Sequence, residues 1–414
     1  MRKIKEHQNV RYKDLNDLAD ISRDAAVVVD FIGEEEYLHS LETIGHSLRA
    51  KGFVSPFDDA TFSLELDLLN LERLRANSSG VFKILPAKCH RGVDFLIGLG
   101  QTIPILSTQA QTRLLGRIKQ GLKEGLWPLE HELRIAAVLS KFGWDVYFHD
   151  FEEGGGYDFL ATQDRRTFEI EAKAVSLFTG WPIKPENLDK LLVEVLQHFV
   201  WEDEKMIPLV GLRLSSNLSP ERTHLRQLVA AFGEVARTRR EISLSDAQVR
   251  YMGAIPNLTL DKLQRAAYVH SQMARKIVLI KGTDPKLVLE LDSDKSIQLE
   301  RKIIKTISST AREQFSRLNP GVIWTHINFV SDEIFTHLST TKDGRACLFD
   351  RIAIAALLSE KRNHLSQLVF SGAPFLHKTP TIARSSYSNA VYDSPGCRFG
   401  ESVVFPGGRK RASG

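Results

Sequence analysis

The stretch Tyr157–Ser176, YDFLATQDRRTFEIEAKAVS, constrains the fold of this 414-residue chain more than any other. Two runs with the alternation of half-buried strands, YDFLAT and TFEIEAKAVS, are separated only by QDRR. A connection that short makes them an antiparallel hairpin. Strand side chains alternate between faces, so Phe168, Ile170, Ala172 and Ala174 share one face of the second strand while Glu169, Glu171 and Lys173 share the other. A hairpin also sets cross-strand neighbours about 5 Å apart, which can bring Asp158, at the start of the first strand, beside Glu171. Two carboxylates and an ammonium then stand together.

The flanking sequence supplies the rest of an α/β layer. WPLEHELRIAAVLSKFG has Leu129, Leu133, Ala136, Ala137 and Leu139 at near-helical spacing, Pro128 suited to a first turn and Gly143 to a C-terminal cap. WDVYFHDF reads as a strand and EEGGG as a turn; after the hairpin, ENLDKLLVEVLQHFVWED reads as a helix and MIPLVGLRLSS as a fourth strand. The expected order over residues 127–220 is helix, three strands, helix, strand. Residues 1–126 read as a mostly helical N-terminal domain, with GEEEYLHSLETIGHSLRAKG and SLELDLLNLERLRANSSG each ending near glycine. Residues 221–414 read as a C-terminal α/β region. It holds a basic helix to Arg240, strands KIVLIKG, KLVLELDS, VIWTHINFV and QLVFSG, a helix from Arg301 and a basic tail expected to be irregular from His377. Its strands form either a second sheet or an extension of the first.

Two neighbouring carboxylates suit a hard divalent cation, Mg²⁺ or alternatively Mn²⁺, that takes oxygen ligands and keeps several waters. Lys173, on the face of Glu171, can hold or polarise an attacking water. Taken alone, Glu171 and Lys173 would be an exposed ion pair worth ~0–1 kcal/mol. Asp158 and the order of elements lift them above that reading.

Asp158, the Glu-x-Lys of Glu171 and Lys173, and the preceding helix resemble the PD-(D/E)xK nuclease superfamily, whose restriction-endonuclease-like core runs helix, three strands, helix, strand. The likeness covers about residues 127–215. Tyr157 stands where the family often has proline. By this resemblance Asp158 and Glu171 ligate Mg²⁺ with the main-chain carbonyl of Ala172, and Lys173 orients the hydrolytic water. Glu132, eleven residues before Gly143, sits where helices similar to those of Holliday-junction resolvases carry a further acid, with Glu130 the competing choice. Gln197 and Trp201 look like the Gln-x-x-x-Tyr feature of RecB-type nucleases, with Trp in place of Tyr. Glu169 is expected to be a solvated end-of-strand residue.

The implied function is metal-dependent phosphodiester hydrolysis, as an endonuclease or exonuclease of defence, restriction or repair. DNA is the first substrate and RNA the alternative; a homodimer is compatible. The formal charge of +4 permits an acidic polymer, and Arg237, Arg239, Arg240, Lys302 and Lys305 lie in basic helices that offer phosphate contacts. A non-catalytic nucleic-acid-binding or assembly protein with a drifted nuclease fold is the alternative reading.

Other classes find no support. The longest apolar runs, AAVVVDFI and IAIAALL, fall short of the ~20 residues of a membrane helix, and MRKIKEHQNVRYKDL lacks the apolar stretch of a secretory signal. A cytoplasmic protein is expected. Cys89, Cys347 and Cys397 form no CxxC pair. GLGQT, Gly98 to Thr102, lacks the P-loop lysine, and no histidine falls in an HExxH pattern.

Overall fold

The computed structural model describes residues 18–51, 53–54, 56–83, 89–176, 183–201, 206–256, 276–281, 285–293, 299–328, 332–340, 346–378, 383–399 and 409–411. In chain order the elements are α1 (Leu18–Ile32), α2 (Glu34–Ala50), β1 (Phe53–Val54), α3 (Pro56–Ala76), α4 (His90–Thr102), α5 (Thr108–Glu124), α6 (Trp127–Lys141), β2 (Asp145–Phe148), α7 (His149–Glu153), β3 (Phe159–Gln163), β4 (Arg166–Ser176) and α8 (Pro185–His198). There follow β5 (Met206–Leu214), α9 (Arg222–Thr238), β6 (Ile242–Ser243), β7 (Ala247–Pro256), β8 (Lys276–Lys281), β9 (Pro285–Ser293), α10 (Leu299–Glu313), β10 (Gly321–Asn328), α11 (Asp332–Ser339), α12 (Leu348–Leu357), β11 (Leu365–Lys378), β12 (Ala383–Asp393) and β13 (Arg409–Arg411). The chain is mixed α/β with two mixed sheets. Among the described residues no helix is long and apolar enough to cross a membrane.

Two compact units divide the chain. The first comprises residues 1–44, 61–177 and 300–414, the second 45–60 and 178–299. This division does not follow boundaries at 126 and 220, and the reason is packing. Ile21, Leu99 and Leu114 of the N-terminal helices share one buried core with Leu133 of α6 and with Phe159, Ile170, Trp324 and Val369 of the sheet. Helices of the first 126 residues thus share a core with the strands that follow them.

In the first unit the strand order is β13-β12-β11-β10-β4-β3-β2. β2, β3 and β4 form an antiparallel meander, and β10 runs parallel to both β4 and β11. Asp164 and Arg165 close the β3–β4 hairpin with φ of 47° and 66°, the left-handed pair that a two-residue I′ turn requires. α6 begins as its sequence suggests, with Pro128 in its first turn, and Gly143 follows at φ 82°.

Three expectations need correction. MIPLVGLRL, expected as the fourth strand of the first sheet, is β5 of the second unit, in a sheet ordered β1-β8-β9-β5-β7-β6. There Val210 and Leu212 pack with Leu188 and Leu192 of α8 and Phe232 of α9. The place beside β4 belongs to β10, which is buried at all eight positions. WDVYFHDF is a strand only to Phe148, because the chain turns into α7 at His149. The segment 383–393, expected to be irregular, is β12, antiparallel to β11.

Candidate active site

The site lies where the sheet forks. β3 pairs with β4 as far as Phe159↔Ile170, while β4 continues to Ser176 against β10. Asp158 stands just outside β3 and replaces the missing ladder with side-chain bonds. Its carboxylate Oδ2 accepts from the Ala172 N–H at 2.6 Å, and its own N–H donates to Glu171 Oε2 at 3.2 Å. Backbone groups that leave a ladder need such partners. The approach is set by Gly154, Gly155 and Gly156, all at positive φ (81°, 150° and 92°), a path side chains resist. Tyr157 then stacks on His149 with ring centroids 4.1 Å apart.

Around this pair stand two cations and two more acids. The Lys173 ammonium donates to Glu171 Oε1. From α6, Glu132 is 6% exposed and takes both terminal nitrogens of Arg117 of α5, at 2.5 Å and 2.9 Å. Arg117 also reaches Asp150 of α7 at 3.3 Å, and its guanidinium lies over the Phe151 ring, 5.3 Å from the centroid. Arg113, one helical turn earlier, donates to the carbonyls of Phe151 and Glu152 at 2.6 Å and 2.8 Å, which secures α7.

Burial dominates the electrostatics. It lifts the Asp158 carboxyl well above the usual carboxylate range, aided by the charges of Glu132 and Glu171. It pushes Glu171 up to about 7 against the pull of Lys173, and raises Glu132 against that of Arg117. Burial works against the Lys173 charge too, but Glu171, Asp158 and Glu132 outweigh it and hold the ammonium above its ordinary value. With all groups ionised, Glu132, Asp150, Asp158 and Glu171 have Arg117 and Lys173 as their cationic partners among the described residues, an excess of two negative charges. That surplus adds to burial in raising Asp158 and fits one divalent cation.

The donor set is oxygen, as a hard cation prefers. Among the described residues no cluster of three or more His, Cys, Asp or Glu side chains forms a ready-made metal cage. Mg²⁺ asks for less, since one or two carboxylates with waters suffice. Asp158, Glu171 and the Ala172 carbonyl could provide them, and Glu132 is engaged by Arg117.

The sequence candidates therefore separate. Asp158, Glu171, Ala172, Lys173 and Glu132 come together at the fork. Glu130 does not; it is buried and bound to Arg91 at 2.7 Å and Arg134 at 3.3 Å. Gln197 is exposed on α8 of the second unit, and the Trp201 indole donates to the Met206 carbonyl at 2.7 Å. Arg237, Arg239 and Arg240 are exposed in the second unit, Lys302 and Lys305 on α10 of the first. Glu169 is a correction: it is 0% exposed and accepts from the Ser316 N–H at 2.8 Å, the Ser316 hydroxyl and Asn319 Nδ2 at 3.2 Å. It ties β4 to the turn before β10. Sequence reading missed Arg117 and Asp150. Arg113 and Arg117 do flank the buried stripe Ala110, Leu114, Ile118 and Leu122 of α5, but exposed helix flanks are ordinarily charged.

Comparison with known protein families, curated proteins and solved structures returns no match for this chain.

Proposed function

We propose that this fork is a divalent-metal-dependent phosphodiesterase site. Its substrate is nucleic acid, DNA in the first place, in the manner of nucleases of defence, restriction or repair. The reading rests on one observation above all: Asp158 and the Glu171–Ala172 segment bind each other reciprocally, with Lys173 on Glu171. Further support comes from the first unit, where α6, β2, β3 and β4 are followed, beyond residues 178–299, by α10 and the parallel neighbour β10. That order suits a restriction-endonuclease-like core.

In this mechanism Asp158 and Glu171 would hold Mg²⁺ or Mn²⁺ with the Ala172 carbonyl. The ion would supply Lewis-acid polarisation of the phosphodiester. Lys173, released from part of its attraction to Glu171, orients the water and stabilises negative charge growing on the phosphate. Lys302 and Lys305 offer phosphate contacts outside the acidic site, as do Arg237, Arg239 and Arg240 of the second unit. The test is cleavage of linear, circular and single-stranded DNA, with RNA in parallel, by wild type, Asp158→Ala and Lys173→Ala. Cleavage by wild type that both variants lose is the expected result. Equal cleavage by all three removes this site, and nucleic-acid binding with no cleavage favours the non-catalytic alternative.

A further inference from the structure

Resting on the phosphodiesterase reading, a second cationic element of the site can be assigned. We propose that Arg117 contacts the scissile phosphate directly and that its grip on Glu132 makes this a one-ion site. A guanidinium carries five N–H groups in a rigid plane, enough for two bidentate forks. The end-on fork, one hydrogen from each terminal nitrogen, is spent on the two oxygens of Glu132, at 2.5 Å and 2.9 Å. The outer hydrogen of Nη1 goes to Asp150 at 3.3 Å. Nε–H and the outer Nη2–H, which together form the side-on fork, have no acceptor among the described residues.

This remaining edge matches two non-bridging phosphate oxygens in spacing and charge. The side chain keeps 34% of its surface exposed. Its other freedoms are restricted, with Phe151 beneath the plane and Arg113 securing α7. A planar cation held at one edge and braced on one face, with donors left over on its remaining edge, is organised to receive charge, which is how electrostatic catalysis avoids reorganisation. Both carboxylate oxygens of Glu132 are meanwhile occupied. Asp158 and Glu171 are left to hold an ion, and Arg117 stands where a second cation would otherwise balance the acids.

The experiment uses the full chain, with Arg117→Lys and Arg117→Ala. Lysine keeps the charge and an ion pair to Glu132 but lacks the second fork, so it separates phosphate contact from mere neutralisation. Calorimetric titration with Mn²⁺ is expected to give one ion per chain in wild type and in Arg117→Lys, with the Lys variant losing some thermal stability with its fork to Glu132 but still unfolding cooperatively above the assay temperature. Single-turnover cleavage of a DNA duplex should fall on the order of 10²–10³-fold in both variants, the usual cost of one lost transition-state donor. A Lys variant that cuts within about fivefold of wild type would falsify the phosphate contact, and two ions in wild type overturn the one-ion assignment. A wild type that neither takes up Mn²⁺ nor cuts DNA removes the phosphodiesterase reading, and this assignment with it. If wild type does both and Lys cuts equally well, only the phosphate contact falls.

Discussion

Glu171→Gln should make the metal-free protein relatively more stable at neutral pH while abolishing its response to Mg²⁺. Burial is the main cause that lifts Glu171 from 4.5 to about 7 in the folded chain, net of the attraction of Lys173. A tenfold change in proton affinity corresponds to about 1.36 kcal/mol, so ionising this group costs the folded state roughly 3 kcal/mol. Between pH 4.5 and 7 the unfolded chain has lost the Glu171 proton while the folded chain retains it, so stability falls as pH rises through this window and then levels off. Glutamine has no such proton. It keeps an acceptor for the Asp158 N–H, and because Asp158 and Lys173 respond to the Glu171 charge, the difference between variant and wild type reports the titration of this linked group. His131 and His326, whose pKa values burial lowers, destabilise both proteins alike on acidification, and their contribution cancels. Thermal unfolding is the assay. Relative to its value at pH 4.5, the stability of Glu171→Gln minus that of wild type should be greater at pH 8 by roughly 3 kcal/mol, about 3–5 °C in Tm at the unfolding entropy of about 2.1 cal/mol/K per residue for a unit of this size. Saturating Mg²⁺ at pH 8 should then raise the Tm of wild type and leave the variant unmoved. Parallel pH curves for the two proteins would refute a buried, proton-retaining Glu171, and an equal Mg²⁺ shift in both would refute its role as a ligand.

Two further substitutions test packing rather than chemistry. Glu169→Ala removes the acceptor that the Ser316 backbone, the Ser316 hydroxyl and Asn319 share, and should cost about 2–4 kcal/mol in urea unfolding with Mn²⁺ uptake unchanged; a loss under about 0.5 kcal/mol would return Glu169 to solvent. At Gly100 a Cβ would lie 2.7 Å from both Cβ and the carbonyl oxygen of Asp24, so Gly100→Ala should force α1 from α4 at a cost of about 1–3 kcal/mol. Gly116→Ala, on α5 where a Cβ meets nothing within 4 Å, should instead gain up to about 1 kcal/mol from helix propensity. Calorimetric unfolding that shifts both glycine variants in one direction would remove the close helix contact.

What was legible in the sequence depends on how far apart its partners lie along the chain. Asp158 and Glu171 are joined by a two-residue turn, so alternation and turn chemistry alone place them together, and Lys173 follows by period two. Glu169 obeys the same period, yet its role depends on Ser316 and Asn319, which lie beyond the entire second unit. An exposed and a sequestered glutamate look identical in TFEIEAKAVS. The same limit governs the sheet. A helix followed by an apolar strand recurs after β4, as α8–β5, α10–β10 and α12–β11, and element order does not distinguish them. An antiparallel neighbour announces itself through its turn. A parallel neighbour needs a crossover, and here residues 178–299 form a unit of their own before α10 and β10 follow. Complete burial of GVIWTHIN, from Gly321 to Asn328, is the physical mark of an interior strand. MIPLVGLRL is almost as apolar because it is interior to another sheet, between β9 and β7. Arg117 escaped for a related reason: a cation beside a helix's buried stripe gains meaning only once α6 and α7 bring Glu132 and Asp150 to it. The local hairpin therefore carries the Asp158–Glu171–Lys173 half of the site, while tertiary packing brings in the arginine half.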